Sequence, residues 1–156
     1  MNVSGHISGT TETPLTEEGR QQAKRAGRAA KKLNIDLIVC SPLGRAHETA
    51  KIIAKEIGYP INKIQTNGLL IERHFGVMEG QLREPDHDAD GFADVESRDT
   101  LMNRAKQAID WLHSLPAQHI LVVSHGTFGR AVRSLLKPEI PFDHSRLQNA
   151  EIHHWL

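Results

Sequence analysis

The stretch IDLIVCSPLGRAHETAKIIAKEIG, residues 35–58, decides how the rest of the chain is read. Its first part, Ile35 to Ser41, is short, apolar and β-branched, the pattern of a strand buried on both faces. From about Leu43 the chain reads as a helix, and Gly58 closes it. A buried strand leading into a helix is half of a parallel β-α-β unit, so the question outward in both directions is whether the alternation continues.

It does. Toward the N-terminus, Thr16 caps a helix expected to run to about Leu33, with Glu17 and Glu18 in its first turn and Lys31 and Lys32 in its last. Toward the C-terminus, Tyr59-Pro60 breaks the chain, and INKIQTNGLLI (61–71) reads as extended. From Glu72 to about Gly91 the pattern dissolves into Gly, Pro, Asp and His, a long loop of the kind that tends to be functional. A helix is expected from about Glu96 to Ser114, with Leu101, Ala105, Ala108, Ile109 and Leu112 on one face. HILVVSHG (119–126) is the clearest strand, TFGRAVRSLL (127–136) a helix, and NAEIHHWL (149–156) a last strand. The prediction is a single α/β domain over residues 1–156, three-layered, with a mostly parallel sheet and helices on both faces.

Composition narrows the function classes. Lys plus Arg total 19 and Asp plus Glu total 19, so the formal net charge is zero, which argues against a nucleic-acid partner. The single cysteine, Cys40, forms no internal disulfide, is expected buried, and suits a reducing compartment. No apolar run approaches the roughly 18 residues of a membrane span, and no signal peptide opens the chain. The expectation is a soluble cytoplasmic protein with no membrane partner.

In such folds ligands bind beyond the carboxyl ends of the strands. Three residues arrive there from separate parts of the chain: Arg45 after IDLIVCS, His125 at the tip of ILVVS, and Glu72 after LLI. A guanidinium grips phosphate oxygens in pairs, an imidazole donates to them, and a carboxyl group protonates a departing alkoxide. His47, His87, His113, His119 and His144 lack ligand spacing. Adjacent His153 and His154 would point to opposite faces of a strand, so no metal site is expected.

Five blocks, PLTEEGRQQA, CSPLGRAHETA, ERHFGVMEG, VESRDTLMNR and LVVSHG, together resemble the histidine phosphatase superfamily, the phosphoglycerate-mutase-like enzymes, in order along the chain. The resemblance implies a phosphohistidine mechanism with no metal and no cofactor. A histidine in an Arg-His-Gly motif attacks the phosphoryl group, and water later hydrolyses the phosphoenzyme. By matching motifs, Arg45 resembles a phosphate-binding arginine, His125 the second pocket histidine, and Glu72 the proton donor. Asn2 and His6 resemble substrate-loop positions just after the Arg-His-Gly motif.

That motif occurs nowhere in the 156 residues. Met1 stands where the family would already be past its first strand, so the domain is expected to be N-terminally incomplete, with the first strand absent. A start placed too late is the preferred explanation; a true truncation and a pseudoenzyme that only binds are the others. A missing strand would leave a sheet edge exposed, so the chain is expected to self-associate there, to be poorly soluble, or to be marginally folded. Little room for an insertion between Gly80 and His125 favours the phosphatase branch over the mutases. The substrate class is a small phosphorylated metabolite. The segment REPDHDADGFADVESRD (83–99) would form an acidic part of a lid. A non-catalytic phosphate-binding or interaction module is the alternative from a different class.

Overall fold

Strand β1 (Leu37–Cys40) runs down the middle of a three-stranded parallel sheet of order β2-β1-β3, in a computed structural model that describes residues 5–82, 89–143 and 147–154. Strand β3 (Ile120–Val123) lies along β1 with Leu37 opposite Ile120 and Cys40 opposite Val123, while β2 is only Gln65–Thr66. Alternation along β1 divides the core. Val39 faces the cluster holding Leu70, Leu101, Ala105, Ile109 and Phe128; Ile38 and Cys40 face the cluster holding Ala26, Ala50, Ile53 and Ala54. These two clusters are the two outer layers. Helices α1 (Glu17–Ala30) and α2 (Gly44–Ile57) cover one face, and α3 (Arg98–Ser114) and α4 (Gly126–Leu136) the other. The predicted α/β architecture is therefore the one observed.

The α1–α2 contact depends on small residues. Ala23, Ala26, Gly27 and Ala30 form the buried face of α1, and a Cβ on Gly27 would lie 2.6 Å from Glu56 Cβ. Cys40 is fully buried as expected, and burial pushes its thiol up to about 11.

Helix boundaries follow local chemistry. The Thr16 hydroxyl accepts the Gly19 N–H at 3.1 Å, and Ser97 accepts the Thr100 N–H at 3.2 Å, so α3 starts at Arg98, two residues later than Glu96. Gly58 ends α2 at φ +75°, in the left-handed region that glycine enters freely. Helix α1 stops at Ala30, short of the expected Leu33, because the chain turns to a left-handed Asn34 (φ +48°); Arg28, not Lys31 and Lys32, is the basic residue of its last turn.

Two expectations of extended chain fail. Residues 61–71 fold instead as two 3₁₀ turns, Ile61–Lys63 and Gly68–Leu70, around the short β2. Asn67 drives the second turn, since its side-chain oxygen accepts the Leu69 N–H at 2.9 Å. Residues 149–154 form no strand. Ala150 is left-handed (φ +55°), and Glu151, His153 and His154 are exposed, while Ile152 alone among residues 150–154 packs against the cluster holding Ile38 and Ala50. His153 and His154 accordingly do not sit on opposite sheet faces. Among the described residues β3 pairs with β1 alone, and Val122 is 38% exposed. No helix among them is long and apolar enough to cross a membrane.

Candidate functional site

The carboxyl ends of β1 and β3 are tied together before any ligand is considered. Ser41, buried just past β1, donates its N–H to Val123 O at 2.9 Å, and its hydroxyl lies 2.8 Å from His125 Nε2. His125 is the N-cap residue of α4, yet its side chain does not cap that helix. Glu72 does so from 55 residues away. Its Oε2 accepts the Thr127 N–H at 3.1 Å, and its Oε1 accepts the N–H groups of Phe128 at 2.9 Å and Arg73 at 2.8 Å. A carboxylate there answers both the orphan donors and the positive end of the helix dipole.

Arg45 projects from the first turn of α2. Its guanidinium donates to Gly9 O at 2.6 Å and Thr11 O at 2.9 Å, using two of its five N–H groups. Burial pulls its pKa below the ordinary value, opposed by the carboxylates Glu72, Glu12 and Glu79. His125 feels the same cluster from the other side. Burial, then the positive charges of Arg45 and Arg104, pull its imidazole down to about 3, so it is neutral near pH 7. Arg45, Glu72 and His125, all three singled out from sequence, thus lie at one rim, with Arg45 in electrostatic reach of both the others.

The loop that meets Arg45 is clamped from below by Glu79. Its carboxylate accepts the N–H groups of Thr10 at 2.9 Å, Thr11 at 2.8 Å and Phe75 at 3.1 Å, together with both threonine hydroxyls. These bonds outweigh its partial burial and hold it down at about 2. Gly9 is required here: at φ +48° a Cβ would stand 2.1 Å from Glu79 Oε1. Next along the loop, the Glu12 carboxylate accepts the Gly44 N–H at 3.0 and 3.2 Å, capping α2, whose own N-cap residue Leu43 has no side-chain acceptor.

Glu12, Glu79 and Arg104 were not among the sequence candidates. Glu79 and Arg104 lie inside the quoted blocks ERHFGVMEG and VESRDTLMNR, but a carboxylate that caps a distant loop leaves no local spacing to read. His6 sits on an isolated antiparallel bridge with Leu82, and its neighbour Ile7 bonds to residues 80 and 81. Asn2, His87, His144 and residues 83–88 of the acidic segment lie outside the described residues. The described remainder of that segment is fastened by Arg73, which donates from Nε to Glu96 O at 2.8 Å and pairs with Asp90. An open groove of about 1020 Å³ lies beyond the clamped loop, lined by Thr11, His74, Glu79, Asp94 and Glu96 among others; Arg45, Glu72 and His125 are not in its wall.

The sequence pattern of the histidine phosphatase superfamily (branch 1) matches residues 1–154. An acid phosphatase of Mycobacterium tuberculosis is 36% identical over 139 residues, 82% of this chain and 66% of that protein. A "Probable phosphoglycerate mutase GpmB" of Shigella boydii is 33% identical over 168 aligned positions, 97% of this chain and 77% of that protein. Among solved structures, the alpha-ribazole phosphatase of Shigella flexneri superposes with a TM-score of 0.75 at 25% identity, over 96% of this chain and 81% of that one. The chain spans about two thirds of the length of the first curated relatives it matches.

Proposed function

Because the chain belongs to the histidine phosphatase superfamily, we propose that its rim is the phosphate cradle of a phosphomonoester phosphatase working through a phosphohistidine. The observation that carries this reading is the convergence of Arg45, His125 and Glu72 where β1 and β3 end. In that reaction a histidine nitrogen attacks phosphorus while the P–O bond of the ester breaks, and the departing alkoxide takes a proton. Arg45 and His125 hold the phosphoryl oxygens. Glu72 is assigned as the acid by its place in the family motif, a role it would fill from a carboxyl group whose oxygens also accept the Thr127, Phe128 and Arg73 N–H groups. Water then attacks the phosphohistidine and releases phosphate. The substrate class is a small phosphorylated metabolite, and Asn2 and His6 are assigned to the loop that meets its organic part. A relative bearing a mutase name keeps phosphoglycerate-type phosphotransfer as the second reading.

No Arg-His-Gly occurs in the 156 residues, so the attacking histidine is assigned to none of them. His125 has its Nε2 engaged with the Ser41 hydroxyl at 2.8 Å, which supports binding rather than attack. In enzymes whose nucleophile and supports act as a unit, deleting the nucleophile costs on the order of 10⁶ in turnover. The test is hydrolysis of an aryl phosphate, with chelator present, by this chain alone and by the chain preceded by a strand ending in Arg-His-Gly. Near-background rate in the first and rescue in the second are expected. Strong activity in the short chain that His125→Ala abolishes would make His125 the nucleophile and overturn the assignment.

The partner reading follows from the β3 edge. With Val122 exposed and β1 its one described neighbour, we expect the chain to self-associate there. Light scattering across a concentration series should show mass rising above the 17.4 kDa monomer; a monomer at every concentration would end this expectation.

A further inference from the structure

Arg104 makes five hydrogen bonds near the rim, yet it belongs to α3 and none of the five reaches Arg45 or His125. Its Nε and Nη2 grip the two oxygens of Glu96 at 2.9 and 2.7 Å, a bidentate fork with both partners nearly buried. Its Nη1 donates to Leu69 O at 2.9 Å and Ile71 O at 2.8 Å, and Nη2 reaches Glu72 O at 3.4 Å. Its guanidinium also lies over the Phe128 ring, 4.9 Å from the centroid.

These contacts share a logic. Leu69, Ile71 and Glu72 are the backbone that delivers the Glu72 side chain. Phe128 is one of the α4 residues whose N–H that side chain accepts. Arg104 therefore holds both sides of the bond between Glu72 and α4. The backbone is steadied from a second direction by Ser124, whose hydroxyl donates to Leu70 O at 2.7 Å. The geometry points to Arg104 as a positioning residue: it fixes the Glu72 backbone and the first turn of α4 relative to each other, and so sets the shape of the anion cradle in front of His125.

A planar fork is what the role needs. Lysine would keep the charge but could not hold Glu96 bidentately and three carbonyls at once. Charge and geometry can therefore be separated. His125 feels the charges of Arg45 from α2 and Arg104 from α3, and its Nε2 meets the Ser41 hydroxyl at the end of β1. Removing the Arg104 charge should let the imidazole pKa rise toward its ordinary value, whereas removing only the fork should not.

This inference rests on the phosphate-cradle reading, and its test separates the two. Inorganic phosphate is titrated calorimetrically into the unmodified chain, Arg104→Lys, Arg104→Met and Arg45→Ala, while NMR follows the His125 ring against pH. Both Arg104 variants should bind phosphate roughly tenfold more weakly, the size seen when a support rather than a ligating group is lost. The His125 pKa should rise in Arg104→Met and stay near the unmodified value in Arg104→Lys. If Arg104→Met does not fold, Glu96→Gln, which loosens the fork but keeps the arginine, is read in its place with the Lys pattern expected. Phosphate affinity unchanged in Arg104→Lys overturns the positioning role, because charge alone would then suffice. No binding by the unmodified chain, or unchanged binding by Arg45→Ala, overturns the cradle reading itself and this inference with it.

Discussion

The four α-helices among the described residues begin in two different ways. Helices α1 and α3 are capped from next door, by Thr16 and Ser97, through hydroxyls three residues from the N–H they accept. Helices α2 and α4 have no such cap. Each takes a carboxylate from a distant loop, Glu12 from 32 residues away and Glu72 from 55. The difference tracks function. Helices α2 and α4 follow directly from β1 and β3 and carry Arg45 and His125 at their starts; α1 and α3 carry no candidate ligand there. A local cap finishes a helix. A distant carboxylate also ties a loop to the sheet rim, so these two caps assemble the site as they stabilise the helices.

The sharpest way to break that comparison is to remove one acceptor oxygen. Both oxygens of Glu72 accept backbone N–H groups, and Gln supplies only one acceptor. Glu72→Gln should leave a buried N–H unmet at about 1–3 kcal/mol. Thr16→Ala, at the exposed α1 cap, should cost about 1 kcal/mol or less. Urea unfolding of both variants checks the order, and equal losses would contradict a special role for the distant cap.

Acid provides a second, smaller probe. His125 has a folded pKa of about 3 against an ordinary 6.5, so the unfolded chain takes up this proton first as pH falls. Its contribution to stability is complete above 6.5 and is lost as pH falls toward 3. Glu79 follows in a lower window, complete above its ordinary 4.5 and lost as pH falls toward 2. His125→Gln should therefore flatten the stability slope between pH 6.5 and 4.5 and leave the steeper loss below it. A slope unchanged by the substitution would show that the folded imidazole titrates normally.

The same contrast explains what the sequence discloses. IDLIVCS, HILVVSHG and the Thr16 cap are legible because burial on both faces and three-residue spacing are local patterns. Arg45, His125 and Glu72 are legible because each stands just past an apolar run. Asn67 was legible in principle, but its Asx turn was overridden by the apolar look of INKIQTNGLLI. The strand expected over NAEIHHWL rested on composition alone, and Ala150 turns the chain out of extended geometry. Glu12, Glu79 and Arg104 act on backbone groups tens of residues away, and spacing carries no trace of such bonds.

The central claim is that the rim formed by Arg45 and His125 binds phosphate whether or not a nucleophile is present. Calorimetric titration of inorganic phosphate, or of vanadate, into the 156-residue chain tests it most directly. The account predicts saturable binding at one site, removed by Arg45→Ala and kept in Thr16→Ala. Absent binding, or binding that survives Arg45→Ala unchanged, would contradict it.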